Sequence, residues 1–405
     1  MLICVSSNVL GTAKNLIYSS GEYTWDNVVP SDAWVYGNRA VIKSLDILLE
    51  FMNIKPPTVS CNLHIKSLKV LTGENIENIP WHAILPPKQF QETIQSLIAA
   101  LETCLKSFLG DQYCGNFINQ REFLLNLSRA FVDSPKLQGY IQNEENQTIK
   151  STLKTFKPLR DSYSEYCIYN QTSTLTGRLT ISNGPQVLTL PKRYRDIISS
   201  RYPGGKVMQV DFVSLEPRIA RLATGQQSED DVYIQLSNSL FNSSLSREQC
   251  KIAVLCALYG VSRARLSKML GKQHNANQVI NSIKSFFGVS DILSEIRPAL
   301  KEDAFFRNYF GRKVSPDRND DSALINYYIQ SSAVDAAMIG FASLKKKIEK
   351  NKLRCDPIFV IHDAMLIDVH PDDHNKFTDI LKKRIDIPTL GEFPVTLSAI
   401  AQDGQ

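Results

Sequence analysis

Two aspartates stand inside otherwise apolar stretches of the chain, Asp211 in KVMQVDF and Asp363 in PIFVIHDAMLIDV. A carboxylate in such a setting costs several kcal/mol unless it is paired or binds a cation. Taken singly, each reads as an ion-paired residue at a strand end. Together, two carboxylates at adjacent strand ends can hold two divalent cations about 3.5–4 Å apart, an arrangement that activates an attacking oxygen and stabilises a leaving one in phosphoryl transfer. Magnesium suits this role because it takes one or two carboxylates plus substrate phosphates. Between the aspartates, SREQCKIAVLCALYG spaces Arg247, Lys251, Leu255 and Tyr259 four residues apart. They follow one slowly turning helix face, roughly 18 Å long at about 1.5 Å per residue. Two cations, an apolar side chain and a phenol in that order could grip a triphosphate, stack on a base or sugar, and close over a base pair. The alternative is a surface helix with solvated cations, whose Leu255 and Tyr259 pack inward.

Strands and helices must position these groups, and the patterning supplies both. KVMQVDF is an apolar strand with Asp211 at its end, followed by a helix that tolerates Pro217 in its first turn. PIFVIHDAMLIDV reads as one strand with His362 and Asp363 at its centre, and FPVTLSAI as another. Residues 244–300 are helical: Ser246 and Gln249 make a capping-box pattern, Gly260 a stop, and Ser262 and Gly271 bracket a second short helix. ALINYYIQSSAVDAAMIGFASLKKKIEK is a further helix. Upstream, TSTLTGRLTISNGPQVLTL reads as strands and loops. From Gln89 to about Lys157 the pattern is helical, with FQETIQSLIAALETCLKSFL stopping at Gly110 and the polar NEENQTIKSTLKTFK forming a solvated helix face. Residues 1–75 mix the strand-like runs LICVSS, AWVYG and TVSCNLHI with the amphipathic SLDILLEFMNI, a small α/β unit. Pro80, Pro86 and Pro87 mark a boundary after it.

At 405 residues, 43% hydrophobic and 21% charged, the chain can bury a full core and form two to three domains, or one large domain with lobes. Disorder is excluded by that balance. The longest apolar runs fall short of the roughly 18 residues of a membrane span, and MLICVSSNVL is no secretory leader. A cytoplasmic protein without membrane contact is therefore expected. The eight cysteines show no CxxC and no His placed to complete a zinc site, so they read as buried free thiols in a reducing compartment. A net charge of +5 permits an acidic partner such as nucleic acid.

From about Thr172 onward the chain resembles the family A DNA polymerases, the group of bacterial DNA polymerase I and its phage relatives. TLTGRLTISNGPQVLTLP is similar to the family's T-x-x-G-R-L segment and its downstream P-N-L-Q-N-I-P. DFVSLEPRIAR resembles motif A, D-Y-S-Q-I-E-L-R. REQCKIAVLCALYG resembles motif B, R-x3-K-x3-[FY]-x3-Y-G. YFGRKV, NYYIQSSAVD and VIHDAML resemble the F-G-R-R segment, the N-x-x-x-Q-G-T-A-A-D helix and motif C, V-H-D-E.

The resemblance implies a template-directed, primer-dependent DNA polymerase that adds dNTPs to a DNA 3′ end and releases pyrophosphate. Asp211 and Asp363 would bind two Mg2+ ions, with Mn2+ able to substitute, assisted by the carbonyl of Phe212. Arg247, Lys251 and Tyr233 would contact the incoming triphosphate, Leu255 would occupy the stacking position, and Tyr259 would close the template side of the pair. Glu216 would be the steric gate against a ribose 2′-hydroxyl. Arg178, Gly260, Asn326, Gln330 and His362 would contact the primer–template. Arg218 and Arg312 match basic family positions without an implied chemistry. Several positions depart from the pattern: Ala364 stands where motif C has Glu, Tyr233 replaces a phosphate-contacting His, Ser214 and Leu188 replace glutamines, and Leu255 replaces an aromatic. These bear on speed and fidelity more than on reaction type.

The fold implied is α+β, the right-hand polymerase arrangement: a palm with an antiparallel sheet and α-helical fingers and thumb, plus a small N-terminal α/β region. Residues 1–87 would be that region, 88–170 thumb, 171–230 palm with motif A, 231–304 fingers, and 305–405 palm with motif C. The N-terminal region lacks the acidic pair of a 3′-5′ exonuclease, so a compact form without proofreading is expected, as in a viral enzyme acting in a host cytoplasm. That region would cap the palm or thumb, or dock a helicase, clamp or separate nuclease. Two other classes compete. A single-subunit RNA polymerase or primer-making relative would carry a small residue in place of Glu216, and an inactive remnant that only binds DNA would have lost Asp211 or Asp363.

Overall fold

The computed structural model describes residues 1–57, 67, 70, 73, 79–159, 161–226, 228, 231–260, 263–270 and 275–400. The strand-like run TVSCNLHI, Cys61, Ser262 and Gly271 lie outside the described residues. The chain divides into two compact units, Met1–Leu125 and Asn126–Gln405.

In the first unit, strands β1 (Leu2–Val5), β2 (Asn15–Ser19), β3 (Glu22–Asp26) and β4 (Trp34–Tyr36) form a sheet of order β3-β2-β1-β4. Helix α1 (Leu45–Phe51) follows, capped by Ser44. Helix α2 (Pro87–Leu109) starts on Pro87, at the first-turn position where a missing N–H is harmless, and ends at Gly110. With α3 (Cys114–Leu125) it closes an aromatic cluster of Trp34, Phe51, Phe108, Tyr113 and Phe117.

The second unit is built on a five-stranded antiparallel sheet. Its strands are β5 (Lys206–Phe212), β6 (Cys355–Ile361), β7 (Ala364–Val369), β8 (Arg384–Ile387) and β9 (Gly391–Ala399), in the order β6-β7-β5-β9-β8. The expected helical run before it is divided. Helices α4 (Ser134–Asn143) and α5 (Gln147–Lys154) are separated by the Asn146 cap, and Phe131–Val132 is a short strand paired with Ile198–Ser199. The polar run is only partly solvated, since Leu153 and Phe156 at its end are fully buried. Helix α6 (Leu215–Ala223) carries Pro217 in its first turn, as the sequence predicts. A helical layer follows: α7 (Val232–Phe241), α8 (Arg247–Tyr259), α9 (Arg263–Leu270), α10 (Ala276–Phe286) and α11 (Val289–Asp303). The Ser246–Gln249 capping box is formed, and Gly260 ends α8 in the left-handed region at φ 69°.

The expected single strand PIFVIHDAMLIDV is instead a hairpin. Ile361 pairs with Ala364, so His362 and Asp363 are the two residues of a tight turn, with His362 at φ 57°. The run is apolar on both sides because both strands are buried, and His-Asp is no standard turn signal, so periodicity could not reveal the reversal.

The 30-residue helix α12 (Asp321–Lys350) lies against the sheet at Phe212, Ile385 and Ile387. Gly340 permits this approach, because a Cβ there would lie 2.9 Å from the Phe212 ring. Asp335 on this helix and Arg312, 0% and 3% exposed, pair at 2.8 Å, and Asn308 donates to Asp335 at 2.7 Å. Arg312 also fills the space beside Gly177, whose Cβ would fall 2.5 Å from the guanidinium carbon. Among the cysteines described, Cys4, Cys104, Cys250, Cys256 and Cys355 are buried thiols and Cys114 and Cys167 half-buried ones. Breaking the buried pair should be severe: Asp335→Ala strands a buried guanidinium and should cost about 3–5 kcal/mol in urea unfolding. A loss below about 1 kcal/mol, the size of an exposed pair, would remove the pair from the structural core.

Candidate active site

Asp211 is the penultimate residue of β5, the central strand, with Ala364 of β7 and Thr396 of β9 directly opposite it. Asp363 sits in the β6–β7 turn, and the Phe212 N–H donates to its carbonyl at 3.2 Å, tying the two acidic positions together. The turn is steadied from behind: the Tyr169 hydroxyl donates to the Val360 carbonyl at 2.8 Å and accepts from the Val360 N–H at 3.0 Å. Burial raises both carboxyls above their ordinary range. For Asp211, a hydrogen bond from Gln209 and the charges of Lys192 and Arg195 act against the rise. For Asp363, the negative charges of Asp211 and Glu216 add to it. Two desolvated carboxylates that repel one another are the environment a divalent cation relieves. Among the described residues no cluster of three His, Cys, Asp or Glu side chains could hold a metal by itself. Two neighbouring carboxylates are nonetheless a partial set that magnesium accepts, since it leaves the rest of its shell to water and phosphate.

Both aspartates line an open cleft of about 610 Å³. Of the residues singled out in the sequence, the cleft is also lined by Phe212, Glu216, Tyr233, Arg247, Lys251, Leu255, Arg178, Gln330 and His362. The face of α8 is thus turned into the cleft, and Leu255 is half-buried at its wall. Arg247 is engaged with Asp231 at 2.6 Å and lies 5.4 Å from the centre of the Tyr233 ring. Burial, then the charge of Glu216, pushes the Tyr233 phenol up to about 12, so it remains a hydrogen-bond donor. Glu216, in the first turn of α6, accepts from Tyr259 at 2.6 Å and from Arg178 at 3.0 Å.

Tyr259, Gly260 and Asn326 are outside the cleft lining. Tyr259 reaches it through Glu216. A Cβ on Gly260 would lie 3.5 Å from Ser322, and Ser322, Asn326 and Gln330 follow one another at four-residue spacing on α12. The Asn326 side-chain amide oxygen, Oδ1, is buried with no partner among the described residues, an acceptor left available. Of the departures, Ser214 lines the cleft as the left-handed residue before α6, at φ 53°, and Leu188 packs against the hydrophobic core. Arg218 is buried with its guanidinium 5.7 Å from the Phe393 ring centre, and Arg312 is the core ion described above.

Gln209, Arg195, Lys192 and Thr396 escaped sequence reasoning. Gln209 had a signal, because it precedes Asp211 by two and so shares its sheet face. The others come from separate segments and carry none.

The family model of DNA polymerase family A matches residues 87–405, and the chain belongs to that family. It is a DNA-directed DNA polymerase, a nucleotidyltransferase. Its fold is similar to that of the POL domain of Pol1 from M. smegmatis, solved in complex with DNA primer-template and dNTP. That likeness has a TM-score of 0.64 at 14% identity and covers 95% of this chain and 92% of the other. The architecture is accordingly the right-hand polymerase fold, α+β, with its antiparallel sheet at the centre. Among the described residues no helix is long and apolar enough to cross a membrane.

The raised Asp363 carboxyl has a consequence for stability. A folded-state value above the ordinary 3.8 means that ionisation opposes folding. This contribution favours the fold below the unfolded value and is lost as pH rises through the folded one. In metal-free protein, Asp363→Asn should therefore stabilise the fold near neutral pH. The gain should disappear at about pH 3, where both forms are neutral. Thermal melts at the two pH values check this, and an equal gain at both would discard the desolvation account.

Proposed function

We propose that the protein extends a DNA primer along a DNA template, joining dNTPs to the 3′ end by two-metal phosphoryl transfer and releasing pyrophosphate. The observation that carries this reading is the meeting of Asp211, Asp363, Glu216, Tyr233, Arg247 and Lys251 around one cleft. Divalent cations at Asp211 and Asp363, Mg2+ or in its place Mn2+, would lower the pKa of the primer's 3′-hydroxyl and stabilise charge on the leaving group. Lys251 and Arg247 hold the triphosphate and offset its charge as pyrophosphate departs, Arg247 exchanging its contact with Asp231 for phosphate oxygens. Tyr233 donates a hydrogen bond to the same phosphates. Glu216, fixed from two sides, occupies the space a 2′-hydroxyl would need. Arg178, Gln330 and His362 line the cleft and, with Asn326 and Gly260 beyond it, form the path of the primer–template. In this reading residues 171–230 and 305–405 act as palm, 231–304 as fingers and 88–170 as thumb, of which α2 and α3 pack within the N-terminal unit.

Primer extension tests the core of the proposal. Asp211→Asn and Asp363→Asn should each lower extension by about a thousandfold or more, the equivalent of roughly 4 kcal/mol of transition-state stabilisation, while primer–template binding stays near normal. Near-wild-type extension by either variant would end the assignment.

Sugar choice is tested separately. Glu216→Ala should raise rNTP use relative to dNTP use by removing a clash. It should also slow extension, because Tyr259 and Arg178 lose their acceptor. A wild-type enzyme that prefers rNTPs would contradict the gate.

Leu255 presents an apolar wall without a flat π face. Base–aromatic stacking is worth about 1–3 kcal/mol, so Leu255→Phe should lower the dNTP KM and shift selectivity against dideoxynucleotides. A destabilised variant with unchanged KM would place Leu255 in the packing instead.

A further inference from the structure

We infer that Gln209 and Arg195 form a positioning relay that fixes the carboxylate of Asp211. Arg195 Nη1 donates to Gln209 Oε1 at 3.3 Å, and Gln209 Nε2 donates to Asp211 Oδ2 at 3.1 Å. Gln209 and Asp211 are two residues apart on β5, so their side chains leave the same face of the sheet. On that face Ala364 and Thr396 stand opposite Asp211, and Leu366 and Ser398 stand opposite Gln209. None of these four bears a charge, and the Thr396 hydroxyl bonds to the main-chain oxygen of Asp211 rather than to its carboxylate. Gln209 is therefore the sheet neighbour that holds the carboxylate.

Arg195 determines which end of the Gln209 amide faces Asp211. Its guanidinium is a donor only, so it takes the amide oxygen and leaves the amide N–H2 toward the aspartate. The opposite orientation would set an oxygen against a carboxylate and an N–H2 against a cation. Arg195 is itself partly buried, on the turn Lys192–Ile197, and its Nε has no hydrogen-bond partner among the described residues. Burial lowers its guanidinium below the ordinary value, and the charge of Asp211 acts against that. With one oxygen tied, the Asp211 carboxylate presents the other in a fixed direction, as outer partners do for metal ligands generally.

This inference rests on the reading of Asp211 as a metal-binding residue, and the test separates the two. Mn2+ binding is measured by the electron paramagnetic resonance signal of free Mn2+, using the full chain with dNTP and a dideoxy-terminated primer–template. Asp211→Asn should weaken binding. Gln209→Leu and Arg195→Met should each weaken it about 10–100-fold, whereas Arg195→Lys, which keeps a donor for the amide oxygen, should stay close to wild type. Arg195→Met carries the test alone should Gln209→Leu fail to fold. Unchanged binding in Asp211→Asn would overturn the metal reading and the relay with it. Weakened binding in Asp211→Asn, with wild-type affinity in Gln209→Leu and Arg195→Met, would overturn the relay alone.

Discussion

Two carboxylates of like charge, brought to neighbouring strand ends and partly stripped of water, are the constraint around which the second unit is arranged. Among the described residues neither Asp211 nor Asp363 has an ion-pair partner, and burial raises both carboxyls above their ordinary range. The backbone keeps them in place. Asp211 is set by hydrogen-bonded strands on both sides, and Asp363 by a two-residue turn that forces His362 into the left-handed region. Such a backbone is costly for a non-glycine residue and persists where its surroundings over-determine it. Here the surroundings are the Phe212 N–H in front and the Tyr169 hydroxyl behind.

Positive charge is distributed to answer that constraint without cancelling it. Lys192 and Arg195 moderate Asp211 from one side, while Arg247 and Lys251 face the cleft from α8. Arg247 rests on Asp231, which also caps α7, so one carboxylate both starts a helix and holds a cation at the cleft. Glu216 is shared between Tyr259 and Arg178, and through it the end of α8 is coupled to the strand-and-loop segment that carries Arg178. Ala364, directly opposite Asp211, brings no charge there, and the neutral amide of Gln209 serves the aspartate instead.

The packing beneath these groups depends on close approach. Gly340 lets the 30-residue helix α12 lie against the sheet. The Arg312–Asp335 pair is buried there and hydrogen-bonded on several sides, the condition under which a buried ion pair is retained. Because Arg312 also packs against Gly177, this core ion sets the position of the next residue, Arg178, and so of the group that holds Glu216.

Much of this was legible in the residues alone. Local rules sufficed for the Ser246 capping box, the Gly260 stop, Pro217 in a first turn and the helix face of Arg247, Lys251 and Leu255, because capping and periodicity act within a few residues. The family motifs named most of the side chains that line the cleft. The hairpin at His362 and Asp363 was hidden, since strands buried on both faces show no alternation to mark where the chain reverses. Equally hidden were the roles of Arg312 as a core ion and of Gln209, Arg195 and Thr396 around Asp211. Those depend on which segments the sheet and α12 bring together, and a contact between Arg195 and Gln209, or between Gly177 and Arg312, arises from long-range packing that no sequence spacing encodes.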